Sequence, residues 1–284
     1  MISKHLKLNL PTPIETFSFR GKNYYLKRDD LTHPLFSGNK ARKLWFLFDE
    51  DLSSYKKLIS HGSAQSNAML SLSYLAKVKG LKFDYYVSHI ADFLVQNPHG
   101  NYEMALKNGM NIIIGEPPKT FAQDELFIAE GGYEREAEVG IKLLAEEIKQ
   151  WGRDVDVFLP SGTGTTALFL QKNLPDLRVY TTPCVGDVNY LKEEFLGLCH
   201  DETTHPVILE TPKRYYFAKL YKEFYEIWLE LKNAGVEFDL VYDPKGWLSM
   251  FYHERIFKKD ILYIHQGGVL GNISMRKRYE RLFS

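Results

Sequence analysis

One lysine after a glycine-containing turn could carry covalent chemistry in this chain. Lys40 follows Gly38 and Asn39 and opens a stretch with a helical pattern. At a helix start, backbone N–H groups and the positive end of the dipole disfavour an ammonium group. Burial would lower the pKa of the amine further, and a neutral lysine can form a Schiff base. A solvated surface lysine is the plainer alternative. By residue type alone, Lys27 or Lys43 could have the same role, but the Gly–Asn turn favours Lys40.

A loop of small and hydroxyl residues, from Ser161 to Ala167, could bind an anion. It follows an apolar strand pattern and opens a helical one. Glycines allow close backbone approach, and N–H groups at a helix N-terminus together with hydroxyls can hold a phosphate. An ordinary capped turn is the alternative. The candidate phosphate-binding residues are Gly162, Thr163, Gly164, Thr165 and Thr166.

Two known phosphate motifs can be compared with this loop. It is not a P-loop, because no Gly-Lys-Ser/Thr follows. Gly162-x-Gly164-x-x-Ala167 matches a dinucleotide fingerprint loosely. This fingerprint is expected to be followed, about twenty residues on, by an acidic partner for the ribose at the tip of the next strand. Residues 181–183 stand at that tip, and Asp187 comes too late to be a good candidate. A monophosphate therefore suits the loop better, with a nicotinamide-dependent oxidoreductase as the alternative.

A second polar loop, Gln65-Ser66-Asn67, lies between a short strand pattern and a helical pattern. Its side chains and free N–H groups could bind the carboxylate of a substrate, and an amide could hydrogen-bond a phenolic oxygen. Ser66 or Asn67 as an ordinary N-cap explains the loop equally well. Asp243 before Pro244 is similarly open to two interpretations, a plain turn or a functional acid.

Composition excludes several classes of function. The 284 residues are 44% apolar and 25% charged, which is ordinary for a soluble globular protein. Lys+Arg and Asp+Glu each total 36, so neither nucleic acid nor a membrane surface is expected as a partner. No signal peptide or membrane span is expected. Cys184 and Cys199 form no CxxC pair, which predicts reduced thiols, a cytoplasmic location and no metal site.

Strand and helix patterns alternate along most of the chain, which predicts an α/β protein with largely parallel sheets flanked by helices. The predicted strands are 22–27, 57–60, 83–87, 111–114, 155–159 and 177–180. The predicted helices include 42–52, one from about 66 to 79, 101–108, 134–151 and an aromatic one at 215–231.

Several segments together resemble one family. Arg28-Asp29-Asp30-Leu31-Thr32, followed by Gly38-Asn39-Lys40-x-Arg42-Lys43-Leu44, resembles the lysine segment of the 1-aminocyclopropane-1-carboxylate deaminase and D-cysteine desulfhydrase family. The loops Gln65-Ser66-Asn67, Ser161–Ala167, Val241-Tyr242-Asp243 and His265-Gln266-Gly267-Gly268 agree with it in order. The resemblance extends from Thr12 to about Gly271 and is thin between 186 and 235.

The resemblance implies a pyridoxal 5′-phosphate (PLP) enzyme of the two-domain, tryptophan-synthase-β-like fold type II. Residues 1–44 plus 151–284 would form the larger domain and 45–150 the smaller, movable one. A homodimer is also implied. Ala68 and Gln266 depart from the family pattern, in which a polar and a smaller residue are usual.

The resemblance also implies a role for each site residue. Lys40 would carry the cofactor and act as general base, the 162–166 loop would bind its phosphate, and Asp243 would meet its pyridine nitrogen. The substrate carboxylate would lie against Gln65, Ser66 and Asn67, with Asn67 also near the cofactor 3′-oxygen. Tyr242 would pack beside the cofactor and, like Ser66, is a candidate for attack on a substrate ring.

Two reactions share this set of residues. Ring opening of 1-aminocyclopropane-1-carboxylate would give 2-oxobutanoate and ammonia, whereas β-elimination from D-cysteine would give pyruvate, sulfide and ammonia. An acid at position 243 is the deaminase-like choice. Another D-amino-acid eliminase or a racemase, and a catalytically idle relative that binds PLP or an amino acid, are the alternatives. In each case a small amino acid is the expected ligand.

Overall fold

A computed structural model describes residues 7–36 and 38–283. The strands are β1 (Ile14–Phe19), β2 (Lys22–Lys27), β3 (Lys57–His61), β4 (Lys82–Val87), β5 (Met110–Ile114), β6 (Glu125–Phe127), β7 (Asp156–Ser161), β8 (Arg178–Pro183), β9 (Val207–Ile208) and β10 (Ile261–Ile264). The α-helices are α1 (Asn39–Lys43), α2 (Asn67–Lys79), α3 (Asp92–Gln96), α4 (Gly100–Lys107), α5 (Glu138–Trp151), α6 (Thr165–Asn173), α7 (Val188–Leu198), α8 (Lys222–Asn233), α9 (Asp243–Tyr252) and α10 (Asn272–Phe283). Short 3-10 helices lie at Asp29–Leu31, Trp45–Leu47, Glu130–Gly132, Arg135–Ala137, Glu202–Thr204 and Val269–Gly271.

The strands form two sheets. The first has the order β1-β2-β10-β7-β8-β9, and the second has the order β5-β4-β3-β6. Every neighbouring pair is parallel except the β1–β2 hairpin, in which Ile14 lies opposite Lys27. The α/β prediction with largely parallel sheets and flanking helices is therefore confirmed.

Parallel pairing brings the loops of interest to one edge of the first sheet. β2, β10 and β7 are mutually parallel neighbours, so their carboxyl ends lie at the same edge. The chain leaves β2 toward α1, leaves β10 toward residues 265–268, and leaves β7 toward α6. In open α/β sheets, ligands bind in the crevice outside the carboxyl ends of the strands. The two candidate loops around Lys40 and Gly162 thus lie at the expected edge.

Separate apolar cores support the two sheets. One contains Leu58, Met69, Leu72 and Tyr85, and it packs α2 and α4 against the second sheet. A second core packs α5 and α6 against the first sheet. Most of α5 falls within the predicted smaller domain, 45–150, although it packs here on the first sheet. The two-domain division itself stays a prediction.

Two predicted helices differ from the structure. The helix predicted at 42–52 is the short α1 followed by a 3-10 turn at Trp45–Leu47. The helix predicted at 215–231 begins only at Lys222, because Ala218 has φ +54, a left-handed conformation that a right-handed helix cannot contain. The aromatic residues before α8 instead form an irregular segment, 210–221. None of the described helices has both the length and the apolarity needed to cross a bilayer.

Candidate active site

A cavity of about 320 Å³ lies between the carboxyl-end loops of the two sheets. Its size is in the range of sites that bind cofactors and small ligands. Every residue predicted for the site lines it: Lys40, Gln65, Ser66, Asn67, Gly162, Thr163, Gly164, Thr165, Thr166, Tyr242 and Asp243. Packing of the two sheets therefore brings together residues that are far apart in sequence.

The Lys40 amine lies in this cavity with no carboxylate ion pair among the described residues. Its Nζ donates a hydrogen bond to Asn39 Oδ1 at 3.2 Å. Burial lowers its pKa to about 8, and the negative charge of Asp239 only partly opposes this effect. The neutral amine is thus far more populated near neutral pH than in an ordinary lysine, which favours a nucleophilic role.

The turn that carries Lys40 is anchored on the loop after β10. Asn39 N donates to Gln266 O at 3.0 Å, and Asn39 Nδ2 donates to Gln266 Oε1 at 3.0 Å. Gly38 has φ +24, and a Cβ there would lie 2.1 Å from the backbone carbonyl oxygen of Gln266. Only glycine fits so close an approach in this conformation. The Gly–Asn pair before the lysine is therefore dictated by packing.

A buried ion network fixes α1 from its other side. The Arg42 guanidinium is fully buried and pairs with Asp29 Oδ1 at 2.9 Å and with Glu147 Oε1 at 2.7 Å. Lys27 also pairs with Glu147, at 2.5 Å. Charge-assisted, bidentate contacts of this kind are geometrically specific. Through them β2 and α5 determine where the one-turn helix holds its lysine.

The glycine–threonine loop contains an unsatisfied buried hydroxyl. Thr166 Oγ1 is buried and has no hydrogen-bond partner among residues 7–36 and 38–283, whereas Thr163 Oγ1 and Thr165 Oγ1 lie 3.0 Å apart. Gly164 has φ +74, and a Cβ there would lie 2.4 Å from the Phe195 ring. A buried polar atom left without a partner is costly, so a ligand oxygen is the natural complement to Thr166.

Lys43, which was not among the predicted site residues, faces this same loop. Its Nζ donates to Thr163 Oγ1 and to Gly131 O, both at 3.1 Å. Burial, and then the charge of Lys40, lower its pKa well below the ordinary lysine value. The spacing of three residues from Lys40 was the available signal, because such residues share a helix face.

The Gln65–Asn67 loop begins α2. Ser66 Oγ accepts hydrogen bonds from Ala68 N at 3.1 Å and Met69 N at 3.4 Å, so Ser66 is the N-cap. Asn101 Nδ2 donates to Asn67 Oδ1 at 2.8 Å, and that contact turns the Asn67 amide nitrogen toward Asp239. Ser66 therefore has the N-cap role that the sequence offered as the alternative to substrate binding, and it also lines the cavity.

Two acids lie at the start of α9. Asp239 Oδ1 accepts hydrogen bonds from Val241 N at 2.7 Å and Tyr242 N at 2.8 Å. Burial raises its pKa to about 6. Asp243 accepts from Tyr263 Oη at 2.6 Å and from Asp239 N at 2.9 Å. Burial, and then the charge of Asp239, raise the pKa of Asp243 well above its ordinary value. A carboxyl in that state retains a proton that it can share with a basic nitrogen.

Of the other candidates, His265 and Asp187 have structural roles, whereas Tyr242 lines the cavity. His265 is fully buried, its Nε2 lies 3.0 Å from Glu237 O, and its Nδ1 accepts from Gly267 N. Burial lowers its pKa, which agrees with a neutral core histidine. Asp187 caps α7 by accepting from Tyr190 N at 3.1 Å, so it is already engaged as a cap. Tyr242 is buried, and burial raises its pKa well above the usual value, which keeps its hydroxyl protonated.

Comparison with known proteins shows what this chain is similar to. No family model matches the chain. A Thermotoga maritima protein provisionally named 1-aminocyclopropane-1-carboxylate deaminase is 27% identical over 94% of this chain and 97% of its own length. The chain is a relative of the 1-aminocyclopropane-1-carboxylate deaminase and D-cysteine desulfhydrase family. The predicted family and the prediction of an enzyme of this type are thus confirmed.

A further relative is similar to part of the chain, and a solved structure is similar to its whole fold. D-cysteine desulfhydrase of Salmonella paratyphi B is 34% identical over 113 residues, which are 38% of this chain and 32% of that protein. The crystal structure of a 1-aminocyclopropane-1-carboxylate deaminase homologue superimposes with a TM-score of 0.77. It is 23% identical and covers 99% of this chain and 97% of its own. The fold-type-II prediction is confirmed by this likeness.

Proposed function

We propose that this relative of the deaminase family binds PLP at Lys40 and acts as a deaminase or lyase on a small amino acid. One observation carries the proposal: a lysine with a pKa of about 8 shares its cavity with a loop whose buried Thr166 hydroxyl lacks a hydrogen-bond partner in the part of the chain that the structure describes. An amine and an anion site in one cavity match the two ends of an aldehyde that carries a phosphate.

The residues present fit this cofactor. The loop from Gly162 to Thr166 and the Lys43 amine would hold the phosphate, since N–H groups, hydroxyls and a lysine are all donors. The negative charge of a bound phosphate would favour the ammonium form of Lys43 and so oppose the effect of burial on its pKa. Asp243 would face the pyridine nitrogen, and Asn67 the phenolic oxygen. When bound, the cofactor supplies an electron sink for a carbanion at the substrate α-carbon.

The protein side chains would then position the substrate and move its protons. Gln65, the Ser66 hydroxyl and the Asn67 amide would bind the substrate carboxylate at the start of α2. The Lys40 amine would remove or return a proton at the α-carbon, because a base with a pKa near the working pH is most effective. The raised pKa of Tyr242 favours this tyrosine as a hydrogen-bond donor over a phenolate nucleophile.

Two substrates remain candidates on this scaffold. The acid at position 243 favours the deaminase-like reaction on 1-aminocyclopropane-1-carboxylate, because a protonated ring nitrogen makes a stronger electron sink. D-cysteine elimination needs only a proton removed at the α-carbon and a leaving group at the next carbon. A homodimer, a cytoplasmic location and closure of the smaller domain remain predictions.

The cofactor is tested first, by the visible absorption of the purified protein with added PLP. We expect an absorption band that borohydride abolishes and a pyridoxyl label that mass spectrometry locates on Lys40. Lys40→Ala should lose both, while Lys82→Ala, an exposed lysine at the start of β4, should retain both. A label distributed over several lysines would refute the assignment of Lys40.

The substrate is tested next, by release of 2-oxo acid and ammonia. Release of 2-oxobutanoate from 1-aminocyclopropane-1-carboxylate would support the deaminase reaction, and pyruvate with sulfide from D-cysteine would support the desulfhydrase reaction. If PLP is attached to Lys40 and neither substrate yields its product, both reactions are contradicted. Other D-amino acids, or a binding function, would then be tested.

A further inference from the structure

We propose that Arg278 makes this cavity selective for amino acids that carry a second negative charge on their side chain. The inference rests on the proposed binding of PLP and a small amino acid at this site. It points to an acidic amino acid as the preferred substrate over 1-aminocyclopropane-1-carboxylate and D-cysteine, which carry no side-chain carboxylate. Arg278 lies on α10 and lines the cavity together with Met275, one turn earlier, and with Phe217 and Ala218 of the 210–221 segment. Neither α10 nor this segment supplies a predicted site residue.

Neutral groups hold the guanidinium of Arg278. Its Nη2 donates to Ala218 O at 3.2 Å, and its Nη1 lies 3.2 Å from Met275 Sδ. Within residues 7–36 and 38–283 it forms no ion pair with a carboxylate. Arg276, on the same helix, is instead paired with Glu280 at 3.2 Å. The half-buried cation at the cavity wall therefore retains donors for an anion.

The partner of Arg278 is held in an unusual conformation. Ala218 has φ +54, which costs free energy for a residue with a Cβ and persists only where the surroundings fix it. Phe217, next to it, packs against the Tyr242 ring with centroids 5.6 Å apart. The 210–221 segment is thus tied to α9 on one side and to Arg278 on the other, which limits the positions that the guanidinium can adopt.

The other anionic groups expected in this cavity already have partners elsewhere on its wall. The phosphate is assigned to the 162–166 loop with Lys43, and the substrate carboxylate to the Gln65–Asn67 loop. Arg278 remains without an assigned anion, and the planar guanidinium matches a carboxylate with two parallel hydrogen bonds. A carboxylate on the substrate side chain meets this requirement, whereas a neutral side chain leaves a partly desolvated cation uncompensated.

The test follows exchange of the α-hydrogen by NMR, with the PLP-loaded protein in D₂O. In this step the α-C–H bond would break, the Lys40 amine would take the proton, and after exchange with solvent it would return a deuteron to the same carbon. The bound cofactor would supply the electron sink for the bonding pair. Aspartate is compared with asparagine and glutamate with glutamine, in both enantiomers, because each pair differs only in charge. We expect exchange to favour the acid of at least one pair by roughly tenfold to hundredfold in kcat/KM.

Three variants separate charge recognition from a structural role. Arg278→Gln should abolish the preference by lowering kcat/KM for exchange of the acid alone, while exchange of the amide changes by less than about twofold. Arg278→Lys should retain part of the preference. Arg276→Gln is the matched control on the same helix and should behave as the wild type. Equal rates for acid and amide in the wild type would overturn the proposal. Equal loss on both in Arg278→Gln would also overturn it, because the arginine would then bind the α-carboxylate or support the fold.

A binding measurement needs no turnover. Succinate should raise the melting temperature of the wild type and of Arg276→Gln, but not of Arg278→Gln, and succinamate should have no effect on any of them. If Lys40 carries no PLP, the proposed function fails, while a succinate shift that depends on Arg278 would still support the arginine site. Absence of both the shift and the acid preference would refute that site.

Discussion

The side-chain amide of Gln266 joins the residue before the candidate lysine to the last residues of β7. Its Oε1 accepts from Asn39 Nδ2 at 3.0 Å, and its Nε2 donates to Pro160 O at 2.7 Å. The family resemblance makes a smaller residue usual at this position. The longer side chain is thus used to connect the Lys40 turn with the strand before the phosphate loop.

Removal of this amide should loosen both loops. We expect Gln266→Ala to lower the free energy of unfolding by about 1–3 kcal/mol, because Pro160 O and the Asn39 amide each lose a part-buried partner. Urea unfolding of the apoprotein measures the loss. Gln150→Ala, at an exposed position near the end of α5, should change stability by less than about 0.5 kcal/mol. If the two variants lose the same free energy of unfolding, water molecules must replace the hydrogen bonds of the Gln266 amide.

The Arg42 network should be far more sensitive than surface pairs. Arg42→Met leaves Asp29 without its guanidinium partner and Glu147 with Lys27 alone, so we expect a loss of about 3–5 kcal/mol. Arg20→Met breaks an exposed pair with Glu230 and should cost no more than about 1 kcal/mol. Chemical denaturation at neutral pH compares them. A small loss in Arg42→Met would show that the network does not hold α1.

The unsatisfied hydroxyl of Thr166 gives a prediction in which stability and cofactor affinity change in opposite directions. Thr166→Val removes a buried polar atom that has no partner, so the apoprotein should be as stable as the wild type or more stable. The dissociation constant for PLP should rise roughly tenfold or more, because one donor to the phosphate is lost. Fluorescence titration and thermal unfolding measure the two effects. Unchanged affinity would exclude Thr166 from the phosphate site.

Lys43 should contribute charge to the same site. Lys43→Met is expected to weaken PLP binding by roughly tenfold to hundredfold, since a charge-assisted contact is lost. Pyridoxal, which lacks the phosphate, should bind the variant and the wild type with similar affinity. A parallel loss for pyridoxal would indicate a general disturbance of the cavity and contradict a phosphate-specific role.

The lowered pKa of Lys40 should appear in the pH dependence of stability. The pKa falls from an ordinary value of 10.5 to about 8 on folding, so the unfolded chain binds more protons between these values. Stability from this group therefore rises as pH increases from about 8 to 10.5. Relative to the wild type, the free energy of unfolding of Lys40→Met apoprotein should increase most below pH 8. This increase should become smaller toward pH 10.5. Urea unfolding at pH 7, 9 and 10.5 measures this difference. A constant difference would mean that the lysine is solvated in the folded protein.

Local patterns in the sequence determined much of this protein. The alternation of strands and helices and the candidate loops around Lys40, Ser66, Gly162 and Asp243 follow from residue types and short spacings. The family follows from the resemblance of these segments to known ones. Such features depend on neighbours in the chain, through backbone conformation and periodic burial. The segment at 215–231 shows the limit of this reasoning, because its aromatic spacing fits a helix while tertiary contacts hold Ala218 in a left-handed conformation.

Only the tertiary structure decided which further side chains reach the cavity. Lys43 meets Thr163 across 120 positions of sequence, Asn101 orients Asn67 from another helix, and Arg278 arrives from the last helix. The three-residue spacing places Lys43 on the same helix face as Lys40, but it does not indicate Thr163 as a partner. The contacts themselves depend on the packing of elements that are remote in the chain. The lowered pKa of Lys40 has the same origin, because burial is a property of the assembled cavity and cannot be assigned to the Gly–Asn–Lys turn alone.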